Sequence, residues 1–268
     1  MKFYFEGKKR CVEKAECTVE YMSISRCGAT QPVEIKDDFS RFPKEQSPRV
    51  LLIYYSFSSQ TRGLIHRLAA GLKETGMDVV EERLQPVKHL RFPIGSIPAT
   101  IRMMLVTFSR QLVAIEKLSD QCHAGFDLII LAGPTWSYNP SGPVLSLFRR
   151  DGVRLFADQT VLPLISCRGY WRTHWYSVKS LLKRCGAKVP NVMVFSHPCR
   201  EPWRTIGVFL KLAGKNPESS VIGKKYPRYG HDREQQEEAF RFGIVIGKAL
   251  GAQSPLADLD FRTKTALP

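Results

Sequence analysis

The feature that most constrains this chain is Val50 to Tyr55, VLLIYY, a continuous apolar run without polar alternation. A strand with one face in water alternates apolar and polar residues. A run without alternation marks a strand buried on both faces, as inside a parallel sheet covered by helices. Phe126 to Ala132 (FDLIILA) reads the same way. Met77 to Leu84, Thr160 to Ser166 and Asn191 to Ser196 read as further strands. Helical segments lie between and after them. Gly63 to Thr75 ends at Gly76, and Thr173 to Cys185 stops at Gly186, both good positions for a left-handed cap. Another helix lies near Val144 to Arg150, and a last one over Asp232 to Leu250 has Asp232 as its N-cap. Strands alternating with helices imply an α/β fold: a doubly wound, five-stranded parallel sheet in the order 2-1-3-4-5, with helices on both faces. In that order a ligand sits outside the carboxyl ends of strands 1 and 3.

The α/β domain is expected over residues 49–252, with a tail at 253–268. Residues 1–48 form an N-terminal extension whose structure the sequence does not settle, and the Pro-rich, charged stretch 31–49 reads as a linker. Two insertions interrupt the minimal pattern, at about 85–125 and 198–230. The first contains a long apolar helix candidate over 97–118, expected in the core or at a subunit interface, with a hydrophobic pocket for a quinone-like substrate as the sharper alternative. The second contains PWRTIGVFLKLAGK, 202–215, an amphipathic helix suited to packing beside the site, to a dimer or to a membrane surface.

Three loops at the expected ligand end are unusual. Ser56, Phe57, Ser58, Ser59, Gln60 and Thr61 join strand 1 to helix 1 and put four hydroxyls at a helix N-terminus. Unpaired N–H groups and partial positive charge make such an end a phosphate site. Neither GxxxxGK[ST] nor GxGxxG occurs in the chain. After strand 3 comes Gly133-Pro134-Thr135-Trp136-Ser137-Tyr138-Asn139-Pro140-Ser141-Gly142-Pro143, which offers flat aromatic surface and backbone N–H groups. After strand 4 come Ser166, Cys167, Arg168, Gly169, Tyr170 and Trp171. Cys167 reads more readily as a small buried thiol than as a redox group.

YYSFSSQT resembles the first loop of flavodoxin-like proteins, with Ser56, Ser58 and Thr61 at the hydroxyl positions and Ser59 where the family often has Gly. FDLIILAGPTWSYNPSGPVLSLF is similar to the third strand, flavin loop and following helix of flavodoxin-like NAD(P)H:quinone reductases of the Trp-repressor-binding-protein type. The resemblance covers roughly residues 50–197. It implies FMN held by Ser56, Ser58, Ser59, Gln60 and Thr61 at its phosphate. At the ring it implies Pro134, Thr135, Trp136, Ser137, Tyr138 and Asn139 on one side, and Ser166, Cys167, Arg168, Gly169 and Tyr170 on the other. Arg168, Tyr170 and Trp171 are bulkier than the family's usual residues there, and Arg168 is placed to stabilise an anionic reduced flavin. The implied activity is an FMN-dependent oxidoreductase that takes electrons from NAD(P)H and passes them to a quinone or similar small acceptor. No catalytic side chain is assigned. A non-enzymatic electron carrier, a condensing enzyme of the dialkylresorcinol label and a basic nucleic-acid binder with a decayed flavin site are the competing readings.

Charge enters here. Forty Lys and Arg against 25 Asp and Glu give a net +15. Flavodoxin carriers are typically acidic, so this balance favours an enzyme, or a carrier with an acidic redox partner. It also suits an anionic membrane surface. The basic residues are spread without a recognised nucleic-acid motif, which disfavours nucleic acid. The seven cysteines include no CxxC pair and no common metal spacing, and they read as reduced thiols of a cytoplasmic protein, with peripheral membrane attachment left open. A homo-oligomer is compatible with the apolar first insertion. Of the histidines, His174 is the one expected near the flavin ring, with helix capping the plainer role.

Overall fold

The computed structural model describes residues 47–268. The expectations placed on 1–46, including the first three cysteines, lie outside the described residues.

The strands are β1 (Arg49–Tyr54), β2 (Asp78–Arg83), β3 (Leu128–Trp136), β4 (Asn139–Pro140), β5 (Val161–Cys167) and β6 (Met193–Ser196). Their order is β2-β1-β3-β5-β6, all parallel, and the two-residue β4 folds back antiparallel on β3. This is the expected doubly wound order, with β5 and β6 as its fourth and fifth strands. β4 is the addition, a tight ribbon that returns the chain at Ser137 and Tyr138, both in left-handed backbone (φ 43° and 69°).

The apolar run of β1 is explained by its two faces. Val50, Leu52 and Tyr54 join one core with α1 (Gln60–Glu74) and α6 (Arg233–Gly251). Leu51, Ile53 and Tyr55 join a second core with α3 (Gly142–Phe156) and α4 (Trp171–Arg184). The four aliphatic residues Val50–Ile53 are fully buried, each stabilising the fold by about 1.5–3 kcal/mol relative to exposure. Asp232 caps α6 as expected, its carboxylate accepting from Gln235 N at 2.8 Å.

The first insertion contains α2 (Ile97–Phe108) and the second α5 (Trp203–Leu212). The apolar pattern predicts a helix through residue 118, but α2 stops ten residues earlier. Arg110 takes a left-handed φ of 59°, and the Asn139 side-chain amide donates to the Phe108 carbonyl at 3.1 Å. The chain beyond runs back beside residues 85–87, with Val87 N donating to Ala114 O and Glu116 N to Gln85 O. The segment leading into α2 is tied to the end of α5, where Ile94 N donates to Leu212 O at 2.8 Å. The tail is packed rather than loose: Phe261 and Ala266 are buried, and Ala266 O accepts from Ser196 N beyond β6.

Candidate functional site

A slot opens at the carboxyl ends of β1, β3 and β5. Its walls are Ser58, Gln60 and Thr61 from the first loop, Pro134, Thr135 and Trp136 from the second, and Ser166, Cys167 and Arg168 from the third. The three loops singled out by sequence therefore meet in one place. The two insertions supply Met103 of α2, Val208 and Leu212 of α5, and Tyr229 and Gly230, while His197 and His231 flank the second insertion on either side.

The first loop owes its shape to one residue. Ser59 sits at the N-cap of α1 with φ 63° and ψ 0°, the left-handed region, and makes no side-chain cap bond. A non-Gly residue there costs about 1 kcal/mol, which gives a physical reason for glycine at this position in similar loops. Ser56 supplies the missing cap, its Oγ accepting from Arg62 N at 3.2 Å. Ser58 and Gln60 are bound at the end of the second insertion instead. Tyr229 Oη donates to Ser58 Oγ at 3.0 Å, and the Gln60 carbonyl oxygen accepts from His231 N at 2.9 Å. Thr61 is buried in the slot wall.

Trp136 does not stand free. It packs edge-on against Tyr55 and Phe57, with centroids 5.6 Å away in both pairs, and Phe57 continues to Phe92 and Tyr229. Thr135 is anchored from below, its hydroxyl 2.7 Å from Nδ1 of the buried His174. Burial lowers the His174 pKa to about 3, so the ring is neutral at ordinary pH.

Ser137, Tyr138 and Tyr170 face a neighbouring cleft, roofed by Met103, Met104 and Phe108 of α2 and by Phe209 and Leu212 of α5. Thr135, Trp136 and Arg168 line both spaces. The Ser137 hydroxyl is engaged by Thr107 and by the Met104 carbonyl, and Asn139 caps α2, so both hold the insertion. Tyr138 and Tyr170 are half exposed and pack edge-on at 5.5 Å. Gly169 lies in a separate polar pocket with Arg172, Arg204 and Arg262, and Trp171 packs on a small core with Ile165 and Val194.

Arg168 is one of three side chains among the described residues with a buried polar atom left without a partner, the others being Ser141 and Tyr226, and it is the one that lines the slot. It lines the slot and the cleft, its guanidinium lies 5.7 Å from the Tyr170 ring centroid, and its Nε is buried with no hydrogen bond. Cys167 beside it is fully packed, and burial pushes its pKa up to about 12. It is a neutral thiol at neutral pH, a poor nucleophile and metal ligand.

Sequence reasoning placed one histidine near the ring; two others line the slot directly. The Gln235 amide nitrogen donates to the carbonyls of Ser196 and Thr265, so its oxygen faces His231 as acceptor. His231 Nδ1 therefore carries the proton, and Nε2 accepts from the Ser166 hydroxyl at 2.8 Å. Burial holds the His231 pKa near 4. His197 stacks on Tyr226 at 5.2 Å, and backbone N–H groups of Cys199 and Gly230 point at its two nitrogens. An imidazolium has no lone pair to accept either one. Burial, then the neighbouring His231 and Arg204, lower its pKa to about 4. His197 was findable, because it directly follows β6 at the ligand end of the sheet. Tyr229, in the second insertion, and His231, just after it, carry no local signal.

No family model matches the sequence, and no curated protein does. Among solved structures the chain is similar to a flavoprotein in complex with FMN from Lactobacillus acidophilus NCFM, at 16% identity over 55% of this chain and 92% of that one, with a TM-score of 0.42. A flavodoxin from the domain Archaea shares 11% identity over 76% and 99% of the two chains, also at 0.42. A WrbA-like flavodoxin from Agrobacterium tumefaciens shares 14% over 77% and 99%, at 0.40. The fold rests on the chain's own strand order, which is flavodoxin-like, and not on these distant likenesses.

Proposed function

We propose that the slot binds FMN and that the protein passes electrons through it from NAD(P)H to a small apolar acceptor such as a quinone. The observation that carries this reading is the meeting of three switch-point loops around an unpaired, buried Arg168 Nε. A buried guanidinium nitrogen without a partner is costly, and an electron-rich ring edge would satisfy it. The residues present fit the cofactor on that ground.

Ser56, Ser58, Thr61 and the N-terminus of α1 would hold the phosphate, which suits that end of a helix. Pro134, Thr135, Trp136, Cys167 and Arg168 would hold the ring. When bound, FMN supplies two-electron exchange with nicotinamides and one- or two-electron exchange with acceptors. The protein's part is positioning. His174 fixes the Thr135 hydroxyl, and the Gln235–His231 chain fixes the Ser166 hydroxyl as a donor to His231. Arg168 contributes positive charge where negative charge would accumulate on reduction. The apolar roof of Met103, Met104, Phe209 and Leu212 keeps water from the cleft and favours an apolar acceptor.

The test is a visible spectrum of the purified protein, followed by FMN titration. Flavin absorbance or micromolar binding is expected, and the absence of both would sink the reading. Arg168→Leu is expected to weaken FMN binding by about 10- to 100-fold, the range of a charged hydrogen bond. With FMN bound, oxidation of NAD(P)H that depends on an added quinone separates an enzyme from a carrier.

A further inference from the structure

Helix α2 is turned inside out. Its buried residues are Thr100 and Thr107, while Ile97, Ile101, Met104, Leu105 and Phe108 are exposed. At 100° per residue those five fall on one stripe. Leu105 and Phe108 are 69% and 65% exposed. An apolar stripe aimed at water needs a cover.

Charge identifies the cover. From Leu84 to Ile115 the sequence contains Lys88, Arg91, Arg102 and Arg110 and no Asp or Glu. All four cations are exposed. Two copies of this patch facing each other across a twofold axis would oppose cation to cation. An anionic lipid surface attracts the cations and takes up the stripe. No described helix is long and apolar enough to cross a membrane, and the 12 residues of α2 suit a helix lying in the interface plane.

We propose that α2 docks the protein on an anionic lipid bilayer, with Ile101, Leu105 and Phe108 inserted and Arg102, which flanks the stripe, at the headgroups. The inserted helix also roofs the apolar cleft that ends at Thr135 and Trp136. If the flavin reading holds, an apolar acceptor reaches the site from the lipid phase; the docking itself does not require flavin.

The test is co-sedimentation of the full chain with phosphatidylcholine vesicles, with and without phosphatidylglycerol. Binding is expected to need the anionic lipid and to weaken as salt rises. Leu105→Glu together with Phe108→Glu is expected to reduce partitioning by about tenfold or more. Circular dichroism should show unchanged helix content, since both side chains are more than half exposed and, although they edge the cleft, neither lines the slot. FMN titration of the same variant is a separate readout, so lost vesicle binding with retained flavin binding supports docking alone. Three results would overturn the proposal. One is no binding to anionic vesicles. Another is binding that the double variant leaves intact. The third is a dimer, seen by light scattering, that the double variant dissolves while vesicles are ignored; this would assign the stripe to a second copy.

Discussion

Helices α1 and α6 obey one rule, and helices α2 and α5 another. The first pair lies backbone to backbone: a Cβ on Gly71 would overlap the Phe240 carbonyl, and one on Gly243 the Leu68 carbonyl. Leu64, Leu68, Leu72, Phe242 and Ile246 are buried between this pair and the sheet. The second pair spans the strand ends, held by polar ties such as Ile94 N, just before α2, to Leu212 O of α5, and Asn139 of β4 to Phe108 O of α2. α2 buries threonines and exposes its apolar stripe. The contrast separates a framework, fixed by burial, from a roof held by a few hydrogen bonds and, at α5, by the close approach of Gly207 to the buried Tyr226 ring.

The sharpest way to break this comparison is to attack the framework contact. Gly71→Val places side-chain atoms where the Phe240 backbone lies, so one helix must move. Overpacking of this kind costs about 3 kcal/mol or more. Urea unfolding is expected to show that loss. An unchanged midpoint would mean that this contact does not fix α1 against α6.

Acid probes the seam between the two regions. His174, His197 and His231 are buried, with folded-state pKa values of about 3, 4 and 4 against an ordinary value of 6.5. As pH falls from 6.5 toward 4, the unfolded chain takes up protons that the folded one refuses. Stability present above pH 6.5 is therefore lost through that window, by up to about 1.4 kcal/mol per pH unit for each histidine. The slope of unfolding free energy against pH, measured between 6.5 and 4.5, checks this. His174→Asn is expected to remove about a third of that slope. A flat profile would mean that these rings already reach solvent and that the seam is open.

The framework was legible in the sequence, and the roof was only partly so. Val50–Ile53 announced a two-faced strand because each residue is buried on one side of the sheet or the other. Thr61, Thr135 and Arg168 line the slot at the strand ends because connection order fixes which loops meet. The end of α2 was misjudged because Arg110's left-handed turn and the cap from Asn139 leave no trace in apolar periodicity. His231 was missed because its approach to the slot is tertiary, whereas His197, directly after β6, carried the strand-end signal and was overlooked. The apolar stripe of α2 was read as core or interface. Hydrophobicity reports that a face seeks apolar surroundings, but not which ones.

Loosening the roof should cost less than either change above. Asn139→Ala removes the amide that caps α2 at the Phe108 carbonyl and also bonds the Ser137 carbonyl at 3.1 Å. A loss of about 1 kcal/mol is expected, felt locally. Amide exchange should quicken along α2 while β1 and β3 stay protected. Faster exchange in the strands as well would join roof and framework into one cooperative unit.

The smallest expected effect is the most telling for α2. Ile101 and Leu105 belong to the exposed stripe, at 47% and 69% exposure, whereas Ile53 is fully buried. Truncating a buried isoleucine removes contacts on every side and leaves a cavity, so Ile53→Ala is expected to cost about 2–5 kcal/mol. Leu105→Gln removes surface that water already covers and keeps a good helix former, so unfolding free energy in lipid-free solution should change by less than about 0.5 kcal/mol. A loss near that of Ile53→Ala would mean that Leu105 is covered in solution, by another copy or by another part of the chain. A negligible loss leaves the stripe uncovered in water, with its apolar residues contributing nothing to the fold that carries them.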